Sequence, residues 1–517
     1  MAVARGLVLG WVALLLALAS GCRGDGHDAR PGRVLLISMD TVRADHVMGP
    51  GATDETRHLD AIAQQGVRFT NFYAASTFTI PSHMSIFTGL DPAEHGVYVE
   101  STRLAAGVPT LAEILSSAGY RTQAFHEGGY VEPRFGFERG FTGYVQMPRL
   151  EVVRQGLPAI LEWMREHRGE PYFLFLHTYA AHFPYGGWER YRAESPQRGL
   201  PSSSDMNLLN RLHPPDASGR VDLSRVPEDT RRLCTLYNHL AEDHTQQVGC
   251  GGTELGADFL ASPHGAEDLA AIVKSYDERI RLIDRALGEI RETLVQLGEW
   301  DDTLLVVTSD HGEAFLEHGL ERHGYIPFDT VVKAPLVISY PRALGGSGVH
   351  VVTGLAWHLD LLPTIASLAG ARTPDGLRGV DLTPAMRGEA SLPADRAVYP
   401  AVLRASHKGE RPLRRIVVQG PGPWKYIEGH PDFGDPLGFL FDLSVDPEER
   451  TNLRVSDAAR NATLAAAARD YADRLVLRPP VSQITGQPVD PAQNVPRERL
   501  NLPEEELQRL RTLGYVE

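Results

Sequence analysis

Short apolar runs, each ending in a polar residue able to do chemistry, set the rhythm of this chain. Arg33-Val34-Leu35-Leu36-Ile37-Ser38-Met39-Asp40 is the first of them. Pro171-Tyr172-Phe173-Leu174-Phe175-Leu176-His177 and Thr303-Leu304-Leu305-Val306-Val307-Thr308-Ser309-Asp310-His311 follow, and Ala334 to Tyr340 is a fourth. Unbroken runs of this length suit strands buried on both faces of a parallel sheet. Helical patterns lie between them. Val108 to Gly119 reads as a helix, with a short strand after it over Arg121 to His126. From Leu269 through Tyr276, Ile283 and Ile290 to Leu297, apolar residues step by fours and threes, one stripe on one long helix. Asp277 and Asp284 within it read as structural. Strands alternating with helices predict an α/β fold, a doubly wound sheet, mostly parallel and flanked by helices.

Two stretches depart from this rhythm. Residues 188–263 are rich in Ser, Pro, Asn and Asp and read as an insertion over the active-site face, a lid or specificity element. From about Ala390 the runs shorten, over Arg415–Val418, Trp424–Ile427 and Gly438–Leu443. These predict a small C-terminal antiparallel sheet subdomain over 390–455, beside a catalytic domain over 33–389. Residues 456–517 read as an extension, proline-rich from Leu477 to Pro496, with a short helix over Pro503 to Leu513. The chain shows no internal repeat.

The ends and the charge narrow the partners. Arg5 precedes an apolar stretch from Leu7 to Ala19, about 13 residues, shorter than the roughly 20 that span a membrane. The segment closes on Leu18-Ala19-Ser20-Gly21-Cys22, which resembles a bacterial lipobox. Residues 1–22 are therefore read as a lipoprotein-type signal and 23–32 as a tether, with membrane attachment through lipidated Cys22. A simple secretory signal is the other reading, and both place the protein outside the cytoplasm, in a periplasm or cell envelope. Cys234 and Cys250 then either pair in an oxidising compartment or stand as separate thiols. The 517 residues carry a net charge of −15, which argues against a nucleic-acid partner. A local pocket for an anionic small-molecule, glycan or lipid ester stays open.

Thr77-Phe78-Thr79-Ile80-Pro81-Ser82-His83, followed by Met84 to Gly89, reads as a loop entering a helix. Pro81 suits a first turn, Ser82 a cap and Gly89 a stop. A helix start binds anions, and the Thr79 hydroxyl just ahead of it is placed to attack phosphorus or sulfur. Strand ends deliver Asp40, Asp310 and His311, which with Thr79 make an oxygen-and-imidazole set for one divalent metal ion, Ca, Mg, Mn or Zn.

Thr79-x-Pro81-Ser82-His83-x-Ser85-x-x-Thr88-Gly89 resembles the signature of the sulfatase family, within the alkaline-phosphatase-like superfamily. Ile37–His46, Ser309–Glu313 and Glu317–Gly319 are similar to its metal-binding passages. Thr41 replaces the second of two adjacent Asp that many members have. Leu359–Thr364 and Phe441–Leu453 also look like family passages, of structural kind. The resemblance spans about Arg33 to Leu453 and implies a metal-dependent ester hydrolase of alkaline-phosphatase-like fold. It implies Asp40, Asp310 and His311 as metal ligands. It implies contacts to the ester from His182, in His182-Phe183-Pro184, and from His323, in Arg322-His323-Gly324. It sets His83 where an Arg orients the nucleophile and contacts metal-bound oxygen, although a His lacks the bidentate fork. Lys333 is within reach of the anion or caps a strand.

Typical members carry Cys or Ser at the Thr79 position, converted to formylglycine, whose hydrate has a second hydroxyl to expel sulfate. Threonine does not undergo that conversion and has one hydroxyl. A phosphorylated threonine can be resolved by attack of water or an alcohol on phosphorus. The sequence therefore favours phosphate mono- or diesters, in a hydrolase or phosphotransferase. The alternatives are a sulfuric ester hydrolase and a non-catalytic, lipid-anchored binding protein.

Overall fold

The computed structural model describes residues 30–48, 56–212, 223–242, 246–249, 255, 257–344, 350–404, 413–430, 436–478, 480–482 and 486–488. The signal over 1–22 with Cys22, together with Cys250 and the helix expected over Pro503 to Leu513, lies outside the described residues.

Eight strands form one sheet: β1 Arg33–Met39, β2 Gly66–Phe69, β3 Arg121–His126, β4 Gly143–Gln146, β5 Tyr172–Thr178, β6 Thr303–Thr308, β7 Leu336–Ser339 and β8 His350–Val352. Their order is β8-β2-β7-β6-β1-β5-β3-β4. β1 lies at the centre, parallel to β5 and β6 on either side. Every residue of β1, β5 and β6 is buried, which is why these runs do not alternate. Leu35, Ile37 and Met39 enter the core on one face of the sheet, and Val34 and Leu36 enter the core on the other. The fourth run, β7, is antiparallel to both β2 and β6. The sheet is thus mixed, though mostly parallel. Apolarity reports burial on two faces and says nothing of strand direction.

The helices are α1 Arg57–Ala63, α2 Thr79–Thr88, α3 Leu111–Ser117, α4 Leu157–Glu166, α5 Trp188–Glu194, α6 Ser203–Leu212, α7 Glu228–Leu240, α8 Gly265–Leu297, α9 Asp329–Val332, α10 Leu361–Leu368 and α11 Ala458–Asp473. α3 starts later than the apolar pattern at Val108, because Thr110 and Glu113 close a reciprocal capping box there. α8 is the long amphipathic helix of the sequence. Its Asp284 accepts hydrogen bonds from the backbone N–H groups of His58 (3.1 Å) and Leu59 (2.8 Å), at the start of α1. Asp277 meets His46 Nδ1 at 2.6 Å.

Among its described residues the 188–263 insertion is mostly helical. Tyr237 and Leu240 of α7 are buried in the same core as Ile280 and Ile283 of α8. Cys234 is disulfide-bonded. The tether ends earlier than Gly32. Pro31 O accepts from Tyr120 Oη at 2.6 Å, and Gly32 O accepts from the Tyr172 N–H at 3.2 Å.

The small sheet comprises β9 Ala401–Arg404, β10 Leu413–Gln419, β11 Trp424–Ile427 and β12 Phe439–Asp442, all antiparallel. The extension is not separate from it. Leu464, Ala468 and Tyr471 of α11 share a core with Val418, Tyr426 and Leu440. Buried Lys425 pairs with Asp329 (2.7 Å) and Glu449 (2.6 Å), tying this sheet to α9. Asp360 serves structure, accepting from the backbone N–H of Trp357 (2.9 Å) and of Val380 (2.8 Å). Among the described residues no helix is long and apolar enough to cross a membrane.

Candidate active site

Register brings the chemistry together. Ser38 of β1 is level with His177 of β5 on one side and Thr308 of β6 on the other. Asp40 and Asp310 follow two residues beyond, so both carboxylates turn onto the same edge of the sheet. Asp40, Asp310, His311 and Thr79 all have zero exposure.

Each candidate ligand keeps an atom in reserve. Asp310 Oδ1 accepts from the N–H groups of Thr41 (3.2 Å) and His311 (2.9 Å), while Oδ2 has no hydrogen bond. Asp40 Oδ1 is likewise buried and unbonded. His311 Nδ1 lies 2.9 Å from Gly312 O, which fixes the tautomer and makes Nε2 the lone-pair nitrogen, turned toward Thr79. One donor atom from each of Asp40, Asp310 and His311 fits within a mutual 4.8 Å. The electrostatics favour an added positive charge. Burial, and then the Asp310 charge, push the Asp40 carboxyl well above the usual range. Burial works the same way on Asp310, but His311, His83 and His177 hold it below that range. Burial takes His311 down to about 4, keeping it neutral at pH 7. Two buried carboxylates with orphaned oxygens beside a neutral imidazole fit a divalent cation. Thr41 does not join them. Its hydroxyl turns back to donate to Asp40 O at 2.7 Å.

Thr79 is the first residue of α2, and its Oγ1 sits 3.4 Å from Asp40 Oδ2 and 3.3 Å from His311 Nε2. Ser82 is not the cap expected of it. It lies inside α2, where its Oγ donates to Ser76 O at 2.8 Å and braces the incoming loop. The N-cap Phe78 makes no side-chain cap bond, Pro81 has no N–H and the Ser82 N–H donates to Phe78 O at 3.1 Å, so the N–H groups of Thr79 and Ile80 are the first-turn donors outside the helix's own ladder. Gly89 ends the helix at φ 65°, as its residue type foretold.

The histidines divide by placement. His83 stands where an orienting residue was expected. Its Nε2 lies 2.8 Å from Ser38 Oγ, and its Nδ1 lies 3.0 Å from Thr79 O and 3.5 Å from Asp310 Oδ2, so it braces the backbone of Thr79. His311, His323 and His182 form a row, with ring centroids 4.4 Å and then 5.2 Å apart. His182 Nδ1 lies 2.8 Å from Phe183 O, and His323 Nδ1 lies 3.0 Å from Glu313 Oε1. Lys333 lies elsewhere, lining a separate cleft.

Two neighbours escaped the sequence reading. His177 is fully buried, with Nε2 3.4 Å from Asp40 Oδ2. Its one signal was a polar ring closing an otherwise apolar run, and only the register shows which atom it meets. Glu313 is buried between His323 and the Tyr185 hydroxyl, which donates to Oε2 at 3.1 Å. Arg43 joins the two acidic passages. Its backbone N–H donates to Tyr276 Oη (2.8 Å), and its guanidinium to Glu313 O (3.1 Å) and Glu317 Oε1 (2.6 Å). At the rim, His239 of α7 packs on Phe183 at 4.9 Å between ring centroids, so the insertion walls the loop that carries His182.

Comparison with known proteins gives the family. The chain is 23% identical over 501 residues to an N-acetylglucosamine-6-O-sulfatase of Bacteroides thetaiotaomicron, covering 85% of each chain. It is 26% identical over 452 residues to a choline-sulfatase of Rhizobium meliloti, covering 81% of this chain and 82% of that one. In fold it is similar to the phosphonate monoester hydrolase of Agrobacterium radiobacter, with a TM-score of 0.64 at 22% identity over 86% of this chain and 96% of that one. The family model described as Sulfatase matches residues 33–371, well over half of the chain, and the protein belongs to the sulfatase family.

Proposed function

We propose that the protein is a metal-dependent ester hydrolase or phosphotransferase of this family, working on phosphate mono- or diesters with Thr79 as the nucleophile. The observation that carries this reading is a plain hydroxyl, Thr79 Oγ1, within 3.4 Å of both Asp40 and His311 at the start of α2. Asp40, Asp310 and His311 would hold one divalent ion. When bound, such an ion lowers the pKa of a nearby hydroxyl and neutralises charge gathering on the ester.

The protein's own residues supply the rest. Thr79 directs its proton toward Asp40 Oδ2, and its oxygen forms a bond to phosphorus as the bond to the alcohol breaks. The N–H groups of Thr79 and Ile80 at the start of α2 and the His323 ring hold the anionic oxygens. His182 Nδ1–H donates to Phe183 O, so it is the doubly protonated ring that gives an Nε2 proton to the departing alcohol and is left neutral. Water, or an acceptor alcohol, then gives its proton to that neutral Nε2 and attacks phosphorus in line, while the departing Thr79 oxygen takes its proton back from Asp40. His83 keeps Thr79 in place through the backbone carbonyl. The 188–263 insertion shapes the alcohol side of the site, and lipidated Cys22 holds the exported protein at the cell envelope.

A sulfuric ester substrate is the second reading, supported by the names of the two sulfatase relatives. Matched aryl sulfate, phosphate monoester and phosphodiester substrates separate the two. Phosphoester turnover should dominate and should fall by about three orders of magnitude in Thr79→Ala. Sulfate turnover that depends on Thr79 would reverse the assignment. Tight metal binding with no turnover on any ester would leave a binding protein.

A further inference from the structure

We propose that the cleft between the edge of the large sheet and the small C-terminal sheet is a second binding site, for a sugar acid. The cleft encloses 790 Å³ and is lined by β8 and residues 353–355 on one side, by Ala385 and residues 388–394, and by Gln419, Pro423 and Ser444 of the small sheet and its turns. None of Asp40, Thr79, His182, Asp310, His311 and His323 lines it.

Its charges do not cancel. Arg396 is occupied by Asp360 and by Leu355 O, His350 Nδ1 by Met386 O, Asp329 by Lys425, and Glu389 by Arg387 at 3.9 Å. Lys333 also lines the cleft, and its ammonium has no hydrogen-bond or ion-pair partner among the described residues. One positive charge is left facing the space. Gln419, only 2% exposed, adds a second unmet demand, since its Oε1 is buried without a hydrogen bond. A buried amide oxygen left unpaired is costly, and a donor brought by a ligand removes the cost.

The ligand therefore offers an anionic group to Lys333 and a hydroxyl to Gln419. The volume falls in the range of small-molecule sites and far exceeds one tetrahedral anion. Hydroxyls of Thr353, Ser391 and Ser444 beside the apolar Leu355 and Leu392 suit the mixed faces of a pyranose ring. A carboxylated sugar meets all of these requirements together. This site is independent of which ester the catalytic centre cleaves.

Isothermal titration calorimetry on the intact chain tests it, with D-glucuronate, D-glucose and inorganic sulfate as probes. Glucuronate should bind, with glucose and sulfate each about tenfold weaker or more. Lys333→Met and Gln419→Leu should each weaken glucuronate about tenfold. Asp310→Ala should leave it unchanged, because that residue belongs to the other centre. Ser391→Trp, which fills the cleft from its rim, should also abolish binding and keeps the test open if either buried variant fails to fold. Full affinity in folded Lys333→Met and Gln419→Leu proteins, loss of affinity in Asp310→Ala, or no binding at millimolar glucuronate would each overturn the proposal.

Discussion

His95 shows what burial does to a single residue. Its Nε2 lies 3.2 Å from Pro81 O, its Nδ1 accepts from the Val97 N–H at 3.0 Å, and burial lowers it from 6.5 to about 3. His358, between Ala75 N and Ser309 O, is lowered to about 3 in the same way. A histidine depressed in the folded state withholds a proton that the unfolded chain binds. Its stabilisation is complete above 6.5 and is lost as pH falls from there toward 3. Urea unfolding at about pH 7 and about pH 4.5 should differ by about 2 kcal/mol for each such residue, with lower stability in acid. His95→Gln should flatten that slope, and an unchanged slope would place the acid sensitivity elsewhere. His177 makes a prediction of another kind. By steadying Asp40 it should contribute to metal affinity, so His177→Ala should weaken divalent-ion binding about tenfold by calorimetry while the fold persists. Asp40, Thr79, Asp310 and His311 were legible because strand ends and a signature mark them. His177 and Glu313 were not, because nothing in the local pattern says which neighbour a buried polar side chain meets across a sheet.

Elements were readable where one physical rule dominated. β1, β5 and β6 announce themselves as unbroken apolar runs, and α8 as one stripe. α5 to α7 were hidden in a polar stretch because only part of each faces a core. α11 was missed because Ala458–Asp473 is rich in alanine and has no apolar stripe, yet Leu464, Ala468 and Tyr471 suffice to seat it on the small sheet. Tyr471 also donates to Asp91 Oδ2 at 2.8 Å, just beyond the end of α2. A chain ending at residue 455 should therefore lose stability in both the small sheet and the segment behind the nucleophile helix, seen as faster amide exchange in each. The join between the β1 and β6 exits depends on Arg43. Arg43→Met removes the donor from the buried Glu313 carbonyl and the partner of half-exposed Glu317, and should cost about 2 kcal/mol in urea unfolding and loosen metal binding as the Glu313 loop drifts. Unaltered stability would make Arg43 a bystander.

At the scale of the whole molecule, a cation-binding centre placed between adjacent strand exits couples ligand binding to global stability. A divalent ion at about one hundred times its dissociation constant should raise stability by about 2.7 kcal/mol, and chelation should remove that gain. Scanning Ca, Mg, Mn and Zn by thermal melt ranks the metals, and a melt indifferent to all four would count against the centre. One earlier feature reaches beyond the molecule. On the proposed mechanism Thr79, at the head of α2, acts as translated, so turnover should need no enzyme that modifies the nucleophile. Chain synthesised from purified translation components and supplied with metal should match the specific activity of chain made in cells. A shortfall restored by cell extract would reveal a maturation step that the gene alone does not carry.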